Sequence, residues 1–104
     1  WEGYVIEQAI GVLTARGVPF DAYYFRTSDQ HEIDLVLDFG NETWAVEIKL
    51  TSQPGVDDMA KLNRTADMIE ADGRFLVSQA PRQTGRGKRV SCGLPDFLGR
   101  LRKV

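Results

Sequence analysis

Two stretches of alternating residues, HEIDLVLDF at 31–39 and TWAVEIKLT at 43–51, flank the dipeptide Gly40-Asn41. Alternation of apolar and polar residues marks a strand with one face buried, and a two-residue Gly-Asn connection marks a hairpin turn. In the first stretch Ile33, Leu35, Leu37 and Phe39 share a face, with Glu32, Asp34, Val36 and Asp38 on the other. In the second, Trp44, Val46, Ile48 and Leu50 oppose Ala45, Glu47, Lys49 and Thr51. With Gly40 and Asn41 as the turn, Ile33 faces Ile48, Leu35 faces Val46, and Leu37 faces Trp44. A slip of one residue would set apolar against polar throughout, so the register is strongly specified. The same register places Asp34 opposite Glu47 and Glu32 opposite Lys49.

The rest of the chain fills in around this hairpin. Residues 1–16 carry Val5, Ile6, Ala9, Ile10, Val12 and Leu13 at helical spacing, with Gly17 placed to end the helix and Pro19 to bar its continuation. The aromatic-rich residues 20–27 predict a strand whose core includes Tyr23, Tyr24 and Phe25, followed by a turn at Ser28-Asp29. After the break at Pro54-Gly55, residues 56–70 predict a second helix. Its stripe is Val56, Met59, Leu62, Ala66 and Ile69, Met68 also packs, and Asp57 and Asp58 suit its N-terminal dipole. Residues 74–78 predict a buried strand and residues 80–89 a basic loop. A short strand at 90–92 and a helix at 95–102 close the chain. Three strands in a meander followed by a helical crossover imply a mixed sheet.

Two facing carboxylates destabilise a hairpin unless something offsets their repulsion. A divalent cation does so, because Mg²⁺ takes hard oxygen ligands. Lys49 projects from the same face as Glu47 and is placed to steady a phosphate or orient a water. An ordinary polar face with cross-strand ion pairs is the plainer alternative. On the first helix Glu2 lies in line with Ile6, Ala9 and Leu13, where a carboxylate needs a partner or a metal. The plainer alternative is a frayed terminus that points Glu2 into water.

Charge is distributed unevenly. Residues 1–60 hold 11 acids and 3 bases, and residues 61–104 hold 4 acids and 10 bases, a split of −8 against +6. An acidic centre beside a basic flank suits a metal-dependent enzyme acting on phosphates. Arg82, Arg86, Lys88 and Arg89 are the candidate contacts to a nucleic-acid backbone, with a solvated basic loop as the alternative. His31 is expected at the surface and the single cysteine, Cys92, in the core, a usage that suits a reducing cytoplasm. One Cys and one His cannot build a structural zinc site. No apolar run approaches the ~20 residues a membrane helix needs, and no secretory signal is visible. With 104 residues the chain is expected to form one domain, and its abrupt start at Trp1 reads as a piece of a longer protein.

Asp34, then Glu47-Ile48-Lys49 after a gap of twelve residues, behind a helix with an acidic residue, resembles the PD-(D/E)XK nuclease superfamily. More narrowly, WEGYVIEQ, HEIDLVLDF, WAVEIKLT and the FLV strand resemble the C-terminal domain of bacterial and archaeal AAA+ ATPases. The resemblance spans nearly the whole chain. It implies an α/β restriction-endonuclease-like core of order αβββαβ, with a mixed central sheet flanked by helices. One domain over residues 1–104 would form the C-terminal part of an ATPase chain. It further implies Mg²⁺ or Mn²⁺ held by Asp34, Glu47 and Ile48, with Glu2 supporting and Lys49 catalytic, and hydrolysis of nucleic acid. Glu32 matches a recurring acid of the narrower family, whereas Ile33 stands where the superfamily commonly has Pro. The alternative implied is a catalytically silent nucleic-acid-binding or protein-docking module of the ATPase. The chain has no Walker-type loop, so ATP binding would belong to the upstream module.

Overall fold

A computed structural model describes all 104 residues. The element order is α1 (Glu2–Ala15), β1 (Asp21–Arg26), β2 (Glu32–Asp38), β3 (Thr43–Ile48), α2 (Val56–Met68), β4 (Gly73–Ser78), β5 (Thr84–Arg86), β6 (Arg89–Gly93) and α3 (Leu94–Leu101). The six strands form one mixed sheet in the order β1-β2-β3-β4-β6-β5. Pairing is antiparallel for β1–β2, β2–β3 and β5–β6, and parallel for β3–β4 and β4–β6. The expected meander and helical crossover are present. The basic segment 80–89, expected as a loop, instead contributes β5 and the start of β6. Gly85 makes that ribbon possible. Its φ is +94°, and a Cβ there would lie 2.3 Å from the Arg89 carbonyl oxygen.

Two apolar layers hold the sheet. On one face Val5, Ala9 and Leu13 of α1 and Phe97, Leu98 and Leu101 of α3 pack on Leu35, Leu37, Trp44, Val46, Phe75, Val77, Val90 and Cys92. Full burial of each large side chain contributes about 1.5–3 kcal/mol. Phe39, Trp44, Phe75 and Phe97 run through this layer as a chain of ring contacts with centroids 5.3, 4.7 and 5.7 Å apart. On the other face Leu62 and Ala66 of α2 pack on Val36, Ala45 and Leu76. Arg74 is buried beneath α2, where its guanidinium donates to the Asn63 and Ala71 carbonyls and meets Asp67 at 2.6 Å.

The hairpin register matches expectation where it is closed: Leu35 pairs with Val46, Val36 with Ala45, Leu37 with Trp44 and Asp38 with Thr43. It departs from expectation at Ile33. Tyr23 pairs with Val36 but Phe25 pairs with Ile33, so Asp34 and Leu35 together oppose Tyr24. This β-bulge reverses the alternation, and Ile33 packs with Val36 and Ala45 under α2 instead of facing Ile48. Other side chains also lie elsewhere than the pattern predicted. Tyr23 and Tyr24 are 45% and 53% exposed on the outermost strand, and Val56 and Met68 of α2 are 88% and 50% exposed. Phe25 and Met59 do pack against the α2 layer, and Cys92 is fully buried. No helix is long and apolar enough to cross a membrane.

Candidate metal centre

Asp34 occupies the bulge of β2 at the end of the sheet where β3 finishes. A bulge re-aims a side chain and interrupts pairing, and both effects are visible. Asp34 Oδ2 accepts a hydrogen bond from the Ile48 backbone N–H at 2.8 Å, taking a donor that a continuous ladder would have used. Glu47, one residue earlier on β3, faces the Asp34 carboxylate with its side chain only 13% exposed.

The electrostatics follow from that placement. Burial, then the neighbouring Asp34 carboxylate, pushes the Glu47 carboxyl from 4.5 up to about 8, against the opposing pull of Lys49 and Lys61. Lys49 Nζ lies 3.9 Å from Glu47 Oε2. Lys61 comes from α2, and the hairpin pattern gave no indication of it. Its only sequence signal is its position beside Leu62 and one turn before Thr65, both buried, which holds that flank of α2 over the sheet.

Glu2 is exposed at the start of α1, not directed into the core. It nevertheless stands beside Asp34. Its carboxyl is raised by partial burial first, then by Asp34 and Glu32. Asp34 is thus the common neighbour of Glu2 on one side and Glu47 on the other. Glu32 accepts a hydrogen bond from the Tyr24 hydroxyl, and Lys49 pairs with Glu47 instead of Glu32. No three His, Cys, Asp or Glu side chains converge closely enough to form a ready-made metal cage.

The donor chemistry fits Mg²⁺ or Mn²⁺. Mg²⁺ is usually held by one or two carboxylates and keeps several of its waters, so it does not require an all-protein cage. Asp34 and Glu47 supply two carboxylates of raised mutual repulsion, and Ile48 can contribute only its main-chain carbonyl. Of the basic candidates, Arg86 and Arg89 are exposed on β5 and β6, and Arg82 is exposed between β4 and β5. Lys88 is engaged, with Nζ 2.7 and 2.8 Å from the two carboxylate oxygens of Glu42. His31 lies 3.7 Å from Asp29.

Residues 1–97 match the protein family described as a domain of unknown function, DUF4143. The chain belongs to that family. An uncharacterized protein of Mycobacterium bovis and one of Mycobacterium tuberculosis are each 38% identical to this DUF4143 chain over 110 residues. The match covers 99% of the chain and 24% of each relative, so the chain spans about a quarter of their length. No solved structure matches it.

Proposed function

We propose that this DUF4143 chain is a nuclease-like domain of the PD-(D/E)XK kind that hydrolyses phosphodiester bonds of nucleic acid with Mg²⁺ or Mn²⁺. The observation that carries the reading is the half-buried Asp34–Glu47 pair, with Lys49 3.9 Å from Glu47 and the charge of Lys61 acting on the same carboxyl. Two facing carboxylates at the rim of a sheet cost stability, and a bound divalent cation offsets that cost. The first six elements run α-β-β-β-α-β into a mixed sheet, the order expected from the resemblance, and the chain's span of about a quarter of its relatives accords with a module of a larger protein.

Asp34 and Glu47 would hold the metal, with the Ile48 carbonyl as a third oxygen. Bound there, the cation supplies Lewis acidity to a phosphodiester oxygen and lowers the pKa of a water. Lys49 is 38% exposed, free to meet a phosphate oxygen from outside while its charge acts on Glu47. Lys61 adds positive charge from the helix side. Glu2 stands beside Asp34 at the start of α1, and that proximity raises its carboxyl. The Ile48 N–H holds Asp34 in one orientation.

A second reading, a silent binding or docking module, is favoured by one observation: only two carboxylates meet closely, and one oxygen of Asp34 is already occupied by a backbone N–H. Incubation of a labelled DNA strand, its duplex and the matching RNA with Mn²⁺ separates the two readings. Hydrolysis lost in Glu47→Ala and Lys49→Ala supports the first. Binding without hydrolysis supports the second.

A further inference from the structure

The two faces of the sheet are not equally covered. On the face that carries Glu47, α2 packs against β2, β3 and β4. The outer strands β6 and β5 carry no helix there. Partners in register share a face, so a row runs outward from the acid pair: Glu47 beside Leu76, Leu76 beside Ser91, Ser91 beside Thr84. The row two residues away ends in Arg89 beside Arg86. Strands lie roughly 4.8 Å apart, so Ser91 stands on the order of 10 Å from Glu47 along the row. A cleft of about 350 Å³, lined by Met59, Leu76, Thr84, Arg89 and Ser91 among others, opens between the start of α2 and this ribbon.

The charges on that face are available. The ion pairs of the molecule involve His31, Lys49, Arg74 and Lys88, and neither Arg86 nor Arg89 takes part in one. Both are exposed, as is Thr84, and Ser91 is half-buried. Of the two acids in the first turn of α2, Asp58 turns back to accept the Gly55 N–H at 3.0 Å, while Asp57 is exposed. Lys88 projects instead toward Glu42 at the turn between β2 and β3. The basic cluster of residues 82–89 therefore divides. Arg86 and Arg89 face the acid pair's side of the sheet, Lys88 braces the fold, and Arg82 is exposed between β4 and β5.

We infer that the open β5–β6 face, with Arg86 and Arg89 flanked by Thr84 and Ser91, seats the phosphodiester backbone of a nucleic-acid strand that leads to the Asp34–Glu47 pair. This rests on the nuclease-like reading of that pair. Two arginines and two hydroxyls on a flat strand surface match successive phosphates, and such contacts position a strand without reading its sequence. Charge complementarity selects a polyanion, and the shared row selects a path toward Glu47.

The test is fluorescence anisotropy in EDTA with a labelled DNA strand of about 20 nucleotides, its duplex and the matching RNA, over a salt series. The proteins are wild type, Arg86→Ala/Arg89→Ala, and a charge-matched control, Arg102→Ala/Lys103→Ala, on the α3 side. The ribbon variant is expected to lose at least tenfold in affinity for the preferred probe. Its log–log salt slope should be shallower by about two contacts' worth, each contributing roughly 0.7–0.9. Circular dichroism melting should match wild type, and the control should bind as wild type does. Wild-type affinity in the ribbon variant, equal losses in both variants, or no wild-type binding to any probe overturns the inference. Ribbon-dependent binding with no Mn²⁺-dependent hydrolysis by wild type would overturn the hydrolytic reading and leave the phosphate seat standing.

Discussion

Asp34 and Glu47 face each other across β2 and β3 because a bulge at Asp34–Leu35 releases Asp34 from the ladder, and the Ile48 N–H then fixes it beside Glu47. A regular hairpin would have left two carboxylates side by side on a paired surface. The bulged one gathers them at the sheet's rim with Lys49 and Lys61 nearby.

The raised Glu47 carboxyl makes the metal-free protein sensitive to pH. Its folded-state value, about 8, exceeds 4.5, so the folded chain keeps a proton that the unfolded chain has released between those limits. The stability contributed by protonated Glu47 is complete below about pH 4.5 and is lost as pH rises through about 8, a change of at most a few kcal/mol. Thermal melting in EDTA is expected to show wild type losing stability as pH rises toward about 8.5. Glu47→Gln, which stays neutral, should be flatter over the same range. Parallel profiles for wild type and Glu47→Gln would contradict this.

Metal binding should compete with the same proton. Mn²⁺ affinity is expected to rise by up to tenfold per pH unit from about pH 5.5 to 8 and then to level off. Calorimetry in two buffers of different ionisation enthalpy should register proton release on binding below about pH 8. Affinity independent of pH would mean that Glu47 is not a ligand.

How much of this was readable beforehand depended on distance from the turn. From Leu35 to Val46 the alternation and Gly40-Asn41 determine the pairing, and the core layer of α1 and α3 follows. Beyond that the pattern fails at Ile33, because a bulge conserves composition while reversing parity. Tyr23 and Tyr24 have strand-forming side chains, but β1 is the sheet's edge and α2 packs on its inner neighbours. Val56 begins α2 before the helix reaches the sheet. β5 was hidden among arginines because an edge ribbon needs little apolar content, and its signal was Gly85. Asp34, Glu47 and Lys49 were legible as a set, whereas Lys61 depends on how α2, the helix after β3, is laid over the sheet.

Gly85→Ala should open the β5–β6 ribbon. The substitution adds a Cβ 2.3 Å from the Arg89 carbonyl oxygen at φ +94°. A cost of about 1–3 kcal/mol is expected in denaturant titrations, with faster amide exchange at Val90. Unchanged exchange there would show that the ribbon pairs without glycine.

Arg74→Ala should cost more than Asp67→Asn although the two residues form one ion pair. Arg74 is 5% exposed and satisfies two backbone carbonyls, so its removal should cost about 2–4 kcal/mol. Asp67 has a side chain 67% exposed, and its loss should cost under about 1 kcal/mol. Equal losses by urea unfolding would contradict the assignment of Arg74 to the backbone of α2.

The measurement closest to the central claim is a Mn²⁺ titration by calorimetry at about pH 8 on wild type, Asp34→Ala and Lys103→Ala. The account expects saturable binding to wild type and Lys103→Ala, and none to Asp34→Ala, with all three proteins folded by circular dichroism. Equal binding to Asp34→Ala, or no binding to wild type, would contradict a metal centre at the Asp34–Glu47 pair.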